Sequence, residues 1–127
     1  MMNAKMTVER REHERFETRD GAFILLGPDS TKLGRLIDIS MGGLAFSHVA
    51  RTRPPDELFE LDLFLVEGDF YLDKVPYEII SDFKTYDNHF GSITMRRCGV
   101  QFGSLTQSQI SELEYFIQNH TTGEVQV

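Results

Sequence analysis

Cysteine is nearly absent, with Cys98 the one thiol in 127 residues. A lone cysteine can neither close an internal disulfide nor fill a four-cysteine zinc site. That excludes a disulfide-stapled scaffold and points to a reducing, cytoplasmic setting. Long apolar runs are missing too: no stretch approaches the roughly 18 consecutive apolar residues of a membrane-spanning helix, and residues 1–8 hold nothing of signal-peptide length. Neither export nor membrane insertion is expected. Positive charge is the third scarcity, with 13 Lys and Arg against 20 Asp and Glu and a net charge of −7. A protein that displaces counterions from many phosphates needs a surplus of cations, so a general binder of DNA or RNA is not expected. What is present, 40% hydrophobic residues including 10 Phe and 4 Tyr, suffices for one small globular domain with its own core.

The cations are unevenly placed. Arg10, Arg11, Arg15 and Arg19 crowd one short stretch, interleaved with Glu9, Glu12, Glu14, Glu17 and Asp20. A solvated, charge-mixed segment is the ordinary reading of such a run. An anion site is the sharper one, because each Arg offers a planar fork of donors matched to phosphate oxygens or a guanine edge.

Downstream, short apolar runs and two-residue alternation are read as strands. Ala22–Leu26, Leu33–Ile39, Leu44–Phe46, Phe59–Leu65, Phe70–Phe83 and Ser92–Phe102 are the six candidates, separated by turn residues such as Gly27-Pro28-Asp29-Ser30. Pro76 cannot donate to a ladder and predicts an edge or a bulge. Asp38-Ile39-Ser40-Met41-Gly42-Gly43 joins side chains that bond nearby backbone to two glycines able to take positive φ, which predicts a tight connection. The period then changes. Thr106-Gln107-Ser108-Gln109 fits a capping box, and Ile110, Leu113, Phe116 and Ile117 fall at helical spacing, predicting a helix to about Asn119. The expected fold is mainly β, a small six-stranded antiparallel β-barrel with a C-terminal α-helix packed on it. A flexible N-terminal arm is expected over 1–20, barrel and helix over 21–120, and a frayed tail over 121–127.

Reactive residues give little. His13, His48, His89 and His120 lack metal-ligand spacing, so no metal is expected. Cys98 reads as a packed strand thiol, and Asp82, Asp87 and His89 as turn residues without a nucleophile; no enzymatic activity is expected. Arg96 and Arg97, adjacent on a strand, face opposite sides, so only one can extend a basic surface.

Two motifs remain. Arg11-Glu12-His13-Glu14-Arg15 spells RxxxR before the first strand, and Asp38 to Gly43 spells DxSxxG between the second and third. Each alone is weak; together, in this order, with a last strand ending Arg97-Cys98-Gly99-Val100-Gln101-Phe102 and a helix after it, the chain resembles the PilZ domain family of bacterial cyclic di-GMP receptors over nearly its whole length. The resemblance implies a PilZ-type barrel that binds cyclic di-GMP through Arg11, Arg15, Asp38, Ser40 and Gly43, with no cofactor besides this ligand. Arg10, directly before the pair, implies a second, stacked ligand molecule. The chemistry suits the residues. Cyclic di-GMP carries two phosphodiester charges and guanine edges, an Arg fork matches O6 and N7, Asp38 can accept from N1 and N2, and Ser40 can donate. Gly43, with Gly42 sharing the role, would let the ligand approach the backbone. Ordering residues 11–15 costs about 1–2 kcal/mol each, so ligand contacts are expected to draw the arm onto the barrel. The resulting surface would be read by a partner protein in motility, adhesion or exopolysaccharide control. The rivals are a nucleotide-free PilZ-type adaptor and, among enzymes, a small split barrel holding a flavin phosphate.

Overall fold

The computed structural model describes residues 14–26, 32–49, 59–85 and 94–124. Its elements run β1 (Phe16–Thr18), β2 (Ala22–Leu26), β3 (Lys32–Ile39), β4 (Gly43–Val49), β5 (Phe59–Leu65), β6 (Tyr71–Lys84), β7 (Met95–Phe102), α1 (Gln107–His120) and β8 (Thr121–Glu124). Strands β2-β5-β6-β7-β4-β3 are neighbours in that order, all antiparallel, and β2 pairs back onto β3, closing a six-stranded barrel. This is the fold that the strand and helix periods predict. Closure leaves the ring no free edge.

Alternate side chains fill the barrel. Ile24 and Leu26, Leu44 and Phe46, Leu61 and Leu63, Leu72 and Tyr77, and Cys98 and Val100 all point into one buried cluster. Helix α1 closes over it. Its N-terminus carries the expected capping box: Thr106 Oγ1 accepts from Gln109 N at 3.0 Å, and Gln109 Oε1 accepts from Thr106 N at 3.0 Å. The register this sets aims Leu113 at Leu44, Leu61, Leu63 and Val75, and puts Phe116 against Phe70 with ring centroids 5.0 Å apart.

Three expectations are corrected. Pro76 sits on neither an edge nor a bulge, for β6 lies between β5 and β7. Pro76 falls one residue past the last β6–β7 pair, Tyr77 with Phe102, where its carbonyl accepts from Gly103 N at 2.8 Å and a missing N–H breaks no rung. The bulge is nearby. Between the pairs Leu61–Val75 and Leu63–Leu72, β6 carries one extra residue, and Lys74 takes φ +57° with its N–H on Asp62 Oδ1 at 3.0 Å. Second, Thr121–Glu124 is strand β8 instead of frayed tail. Strand β1 offers it an open edge, and Thr122 Oγ1 donates to Glu17 O at 3.3 Å. Third, the segment expected as arm is already strand at Phe16–Thr18, where β1 pairs β3 on one side and β8 on the other. The rest of the expected arm, residues 1–13, and the end of the tail, residues 125–127, lie outside the described residues.

Burial also sets the chemistry of the core. Desolvation, with a smaller push from Asp82 against an opposing pull from Arg96, raises the Cys98 thiol from 9.0 to about 12. Burial, with Cys98 adding to it, raises the Tyr77 phenol from 10.0 to about 12. Both are acids held neutral by the fold. Their contribution is complete below the unfolded values and is lost as pH climbs through the folded ones, so stability should fall between about pH 9 and 12. Urea midpoints measured across that range should decline, and Cys98→Ala should flatten part of the decline. A midpoint independent of pH to about 12, or a native thiol as reactive to Ellman's reagent as a free peptide thiol, would contradict the assignment.

Candidate functional site

The connection from β3 to β4 is built around one hydroxyl. Ser40 Oγ accepts from the N–H groups of Gly42 and Gly43, both at 3.1 Å, and donates to Gly43 O at 3.3 Å. Ser40 N donates to the same carbonyl at 2.8 Å, and Phe102 N donates to Gly42 O at 2.9 Å. The serine is buried and spends its hydroxyl on the turn. Neither glycine has the positive φ that the sequence reading anticipated. Gly43 is required by close approach: a Cβ there would lie 2.1 Å from Val100 O on β7 and 3.2 Å from Gln101 Cα. Backbone, unlike a side-chain tip, cannot move aside.

Asp38 stands beside this corner. A register irregularity between Leu36 and Asp38 sets it opposite Ala45 on β4, and β1 sets Glu17 opposite it on the other side. Its carboxylate holds two guanidinium groups. Arg15 Nη1 donates to Oδ1 at 2.7 Å, and Arg97 Nη2 donates to Oδ2 at 3.1 Å. The acid side chain is 7% exposed, whereas Arg15 and Arg97 keep 20% and 35% of theirs in solvent. Charge-assisted pairs on both oxygens satisfy a carboxylate that burial would otherwise penalise. With Glu17 across from Asp38 on β1, two arginines and two acids meet here, and both arginines stay partly in solvent. Beside it on the adjoining strands, Ala45 pairs with Gly99, neither bearing a side chain beyond a methyl.

Arg15 reaches this place because β1 is fastened next to it. Phe16 and Glu17 pair with Ile39 and Asp38, and Thr18 Oγ1 donates to Leu36 O at 3.1 Å and Ile37 O at 3.2 Å. Of the stretch 11–15 expected to be drawn in by ligand, Glu14 and Arg15 are among the described residues, and Arg15 lies against Asp38. Of the residues expected to form the site, the fold gathers Arg15, Asp38, Ser40, Gly42 and Gly43 into one corner. Arg10 and Arg11 lie outside the described residues. Asp38, expected to accept from a guanine, has each oxygen engaged by an arginine.

Arg97 is the residue that the sequence reading did not assign to the site. Strand alternation separates it from Arg96, which turns to Asp82 with Nε 2.8 Å from Oδ1 and Nη2 3.2 Å from the backbone carbonyl. Only the β4–β7 register, Ser47 opposite Arg97 and Ala45 opposite Gly99, shows which of the two faces Asp38. Among the described residues, no cluster of three His, Cys, Asp or Glu could hold a metal ion, and no helix is long and apolar enough to cross a membrane. His120 packs among Phe70, Tyr115 and Phe116, and Cys98 is buried; His13, Asp87 and His89 lie outside the described residues.

The close approach at the corner makes a direct prediction. Gly43→Ala should cost about 1–3 kcal/mol by overpacking, read as a lower urea midpoint, and a variant as stable as the parent would refute the contact with Val100 O.

Comparison with known proteins agrees with this geometry. The family model described as PilZ domain matches residues 9–119. A mannuronan synthase of Pseudomonas aeruginosa is 29% identical over 91 residues, covering 72% of this chain and 21% of its own length, so the chain spans about a fifth of that relative. The PilZ domain of YcgR from Escherichia coli, solved with c-di-GMP, superposes with a TM-score of 0.63 at 20% identity, covering 88% of this chain and 92% of that one. The MrkH–c-di-GMP complex of K. pneumonia gives a TM-score of 0.67 at 18% identity, over 87% of this chain and 52% of that one. With the family model spanning both motifs, the barrel and most of the helix, the chain belongs to the PilZ domain family.

Proposed function

We propose that this chain is a cytoplasmic receptor for cyclic di-GMP that binds the nucleotide at the Arg15–Asp38 corner and acts through a protein partner, without catalysing a reaction. The observation that carries the reading is that Arg15 of RxxxR and Asp38 of DxSxxG meet in one ion pair, with a second partly exposed arginine, Arg97, on the other carboxylate oxygen. The solved relatives whose descriptions name c-di-GMP support the choice of ligand. In this reading Arg10, Arg11 and Arg15 supply forks to phosphate and guanine, and Asp38 aims Arg15. Ser40, Gly42 and Gly43 hold the corner in shape. An Arg carries five donors, so Arg15 can keep one on Asp38 while offering the others to the ligand.

Output follows the sheet. The arm bearing Arg10 and Arg11 enters β1, β1 lies between β3 and β8, and β8 continues directly from α1. A shift of the arm thus reaches the C-terminal helix through backbone hydrogen bonds. The partner we assign is a component of motility, adhesion or exopolysaccharide control, the last in keeping with the mannuronan synthase relative. A nucleotide-free adaptor is the second reading, and the completeness of both motifs disfavours it.

Isothermal titration with cyclic di-GMP tests the reading. Wild type should bind two nucleotides per chain, and Arg11→Ala and Arg15→Ala should each weaken binding roughly 5- to 150-fold, the equivalent of about 1–3 kcal/mol for a bidentate Arg–guanine contact. Circular dichroism of both variants should stay native. One nucleotide per chain would remove the stacked pair, and no binding at all would leave the adaptor.

A further inference from the structure

Resting on the cyclic di-GMP reading, we propose that Arg97 is a fourth arginine of the ligand site, outside both motifs, whose fork is anchored on Asp38 and reads a guanine edge. Two observations converge. Arg97 Nη2 donates to Asp38 Oδ2 at 3.1 Å, so Arg97 and Arg15 flank one carboxylate from opposite sides, one from the last barrel strand and one from the arm. The side chain keeps 35% of its surface in solvent, and among the described residues no second acceptor takes its remaining donors.

Anchoring decides what such a fork is good for. An unanchored Arg or Lys serves a phosphate equally well as a diffuse positive charge. A guanidinium fixed at one nitrogen presents its other donors in a set plane, which is what O6 and N7 of guanine demand and what a Lys cannot reproduce. The same Asp38 that steadies Arg97 also steadies Arg15.

The test compares Arg97→Ala and Arg97→Lys with Arg96→Ala, which breaks the separate pair to Asp82 on the other face of the strand. Kd for cyclic di-GMP is measured by titration, and thermal melts confirm that each variant is folded. Both Arg97 variants should weaken binding about tenfold or more, and Arg96→Ala should leave it within about twofold, given the worth of one bidentate Arg–guanine contact. Unchanged affinity in Arg97→Ala would overturn the proposal. So would an Arg97→Lys that binds like wild type, because a lysine keeps a cation beside Asp38 and so rescues a merely positioning role. Failure of the wild type to bind cyclic di-GMP would instead bring down the functional reading, and this inference with it.

Discussion

A single buried carboxylate ties the molecule's charged surface together. Asp38 accepts one guanidinium from the residue preceding β1 and another from β7, so three segments remote in sequence meet on two oxygen atoms. Neither arginine would hold its place by hydrophobic packing alone, and the acid would not tolerate burial alone. The consequence is a surface cluster in which two partly exposed guanidinium groups are held in place, on a protein otherwise rich in acid.

The barrel supplies what this patch cannot supply for itself, a fixed frame. Closure of β2 onto β3 fixes the register of the strand bearing Asp38, and the tight β3–β4 turn, stapled by the Ser40 hydroxyl and pressed against Val100, fixes the direction in which β4 departs. The β4–β7 ladder then sets Arg97 across from Ser47. On the far side, β1 is held between β3 and β8, so the arm's root and the end of α1 share one hydrogen-bonded edge. The Arg15–Asp38 corner is thereby joined through backbone hydrogen bonds to the C-terminus of the helix.

Much of this was legible in the residues. Alternation located the strand Phe59–Leu65 and a short apolar run closed by turn residues located Ala22–Leu26, both to the residue, and Thr106 with Gln109 located the helix start, because burial and capping are local signals. The motif spacing brought Arg15 and Asp38 together on paper as in the structure. What escaped was set by pairing. Strand β8 has no strand pattern of its own, since Thr121–Glu124 is exposed nearly throughout and is a strand only because β1 offers an edge. Pro76 drew attention as a breaker, while the true bulge fell at Lys74, stabilised by an Asp62 side chain from another strand. Gly43 was read as conformational freedom and proved to be a steric allowance for the neighbouring strand. Arg97 was one of two equal candidates until the register chose between them.

The central claim is that an anionic guanine nucleotide is received by guanidinium groups steadied on Asp38. Arginine Nε–Hε resonances observe those groups individually. On addition of cyclic di-GMP, the signals of Arg15 and Arg97 should shift together and saturably, while that of Arg96, committed to Asp82, should stay in place. Saturable binding that moved neither Arg15 nor Arg97, with the shifts confined to another part of the barrel, would contradict the account.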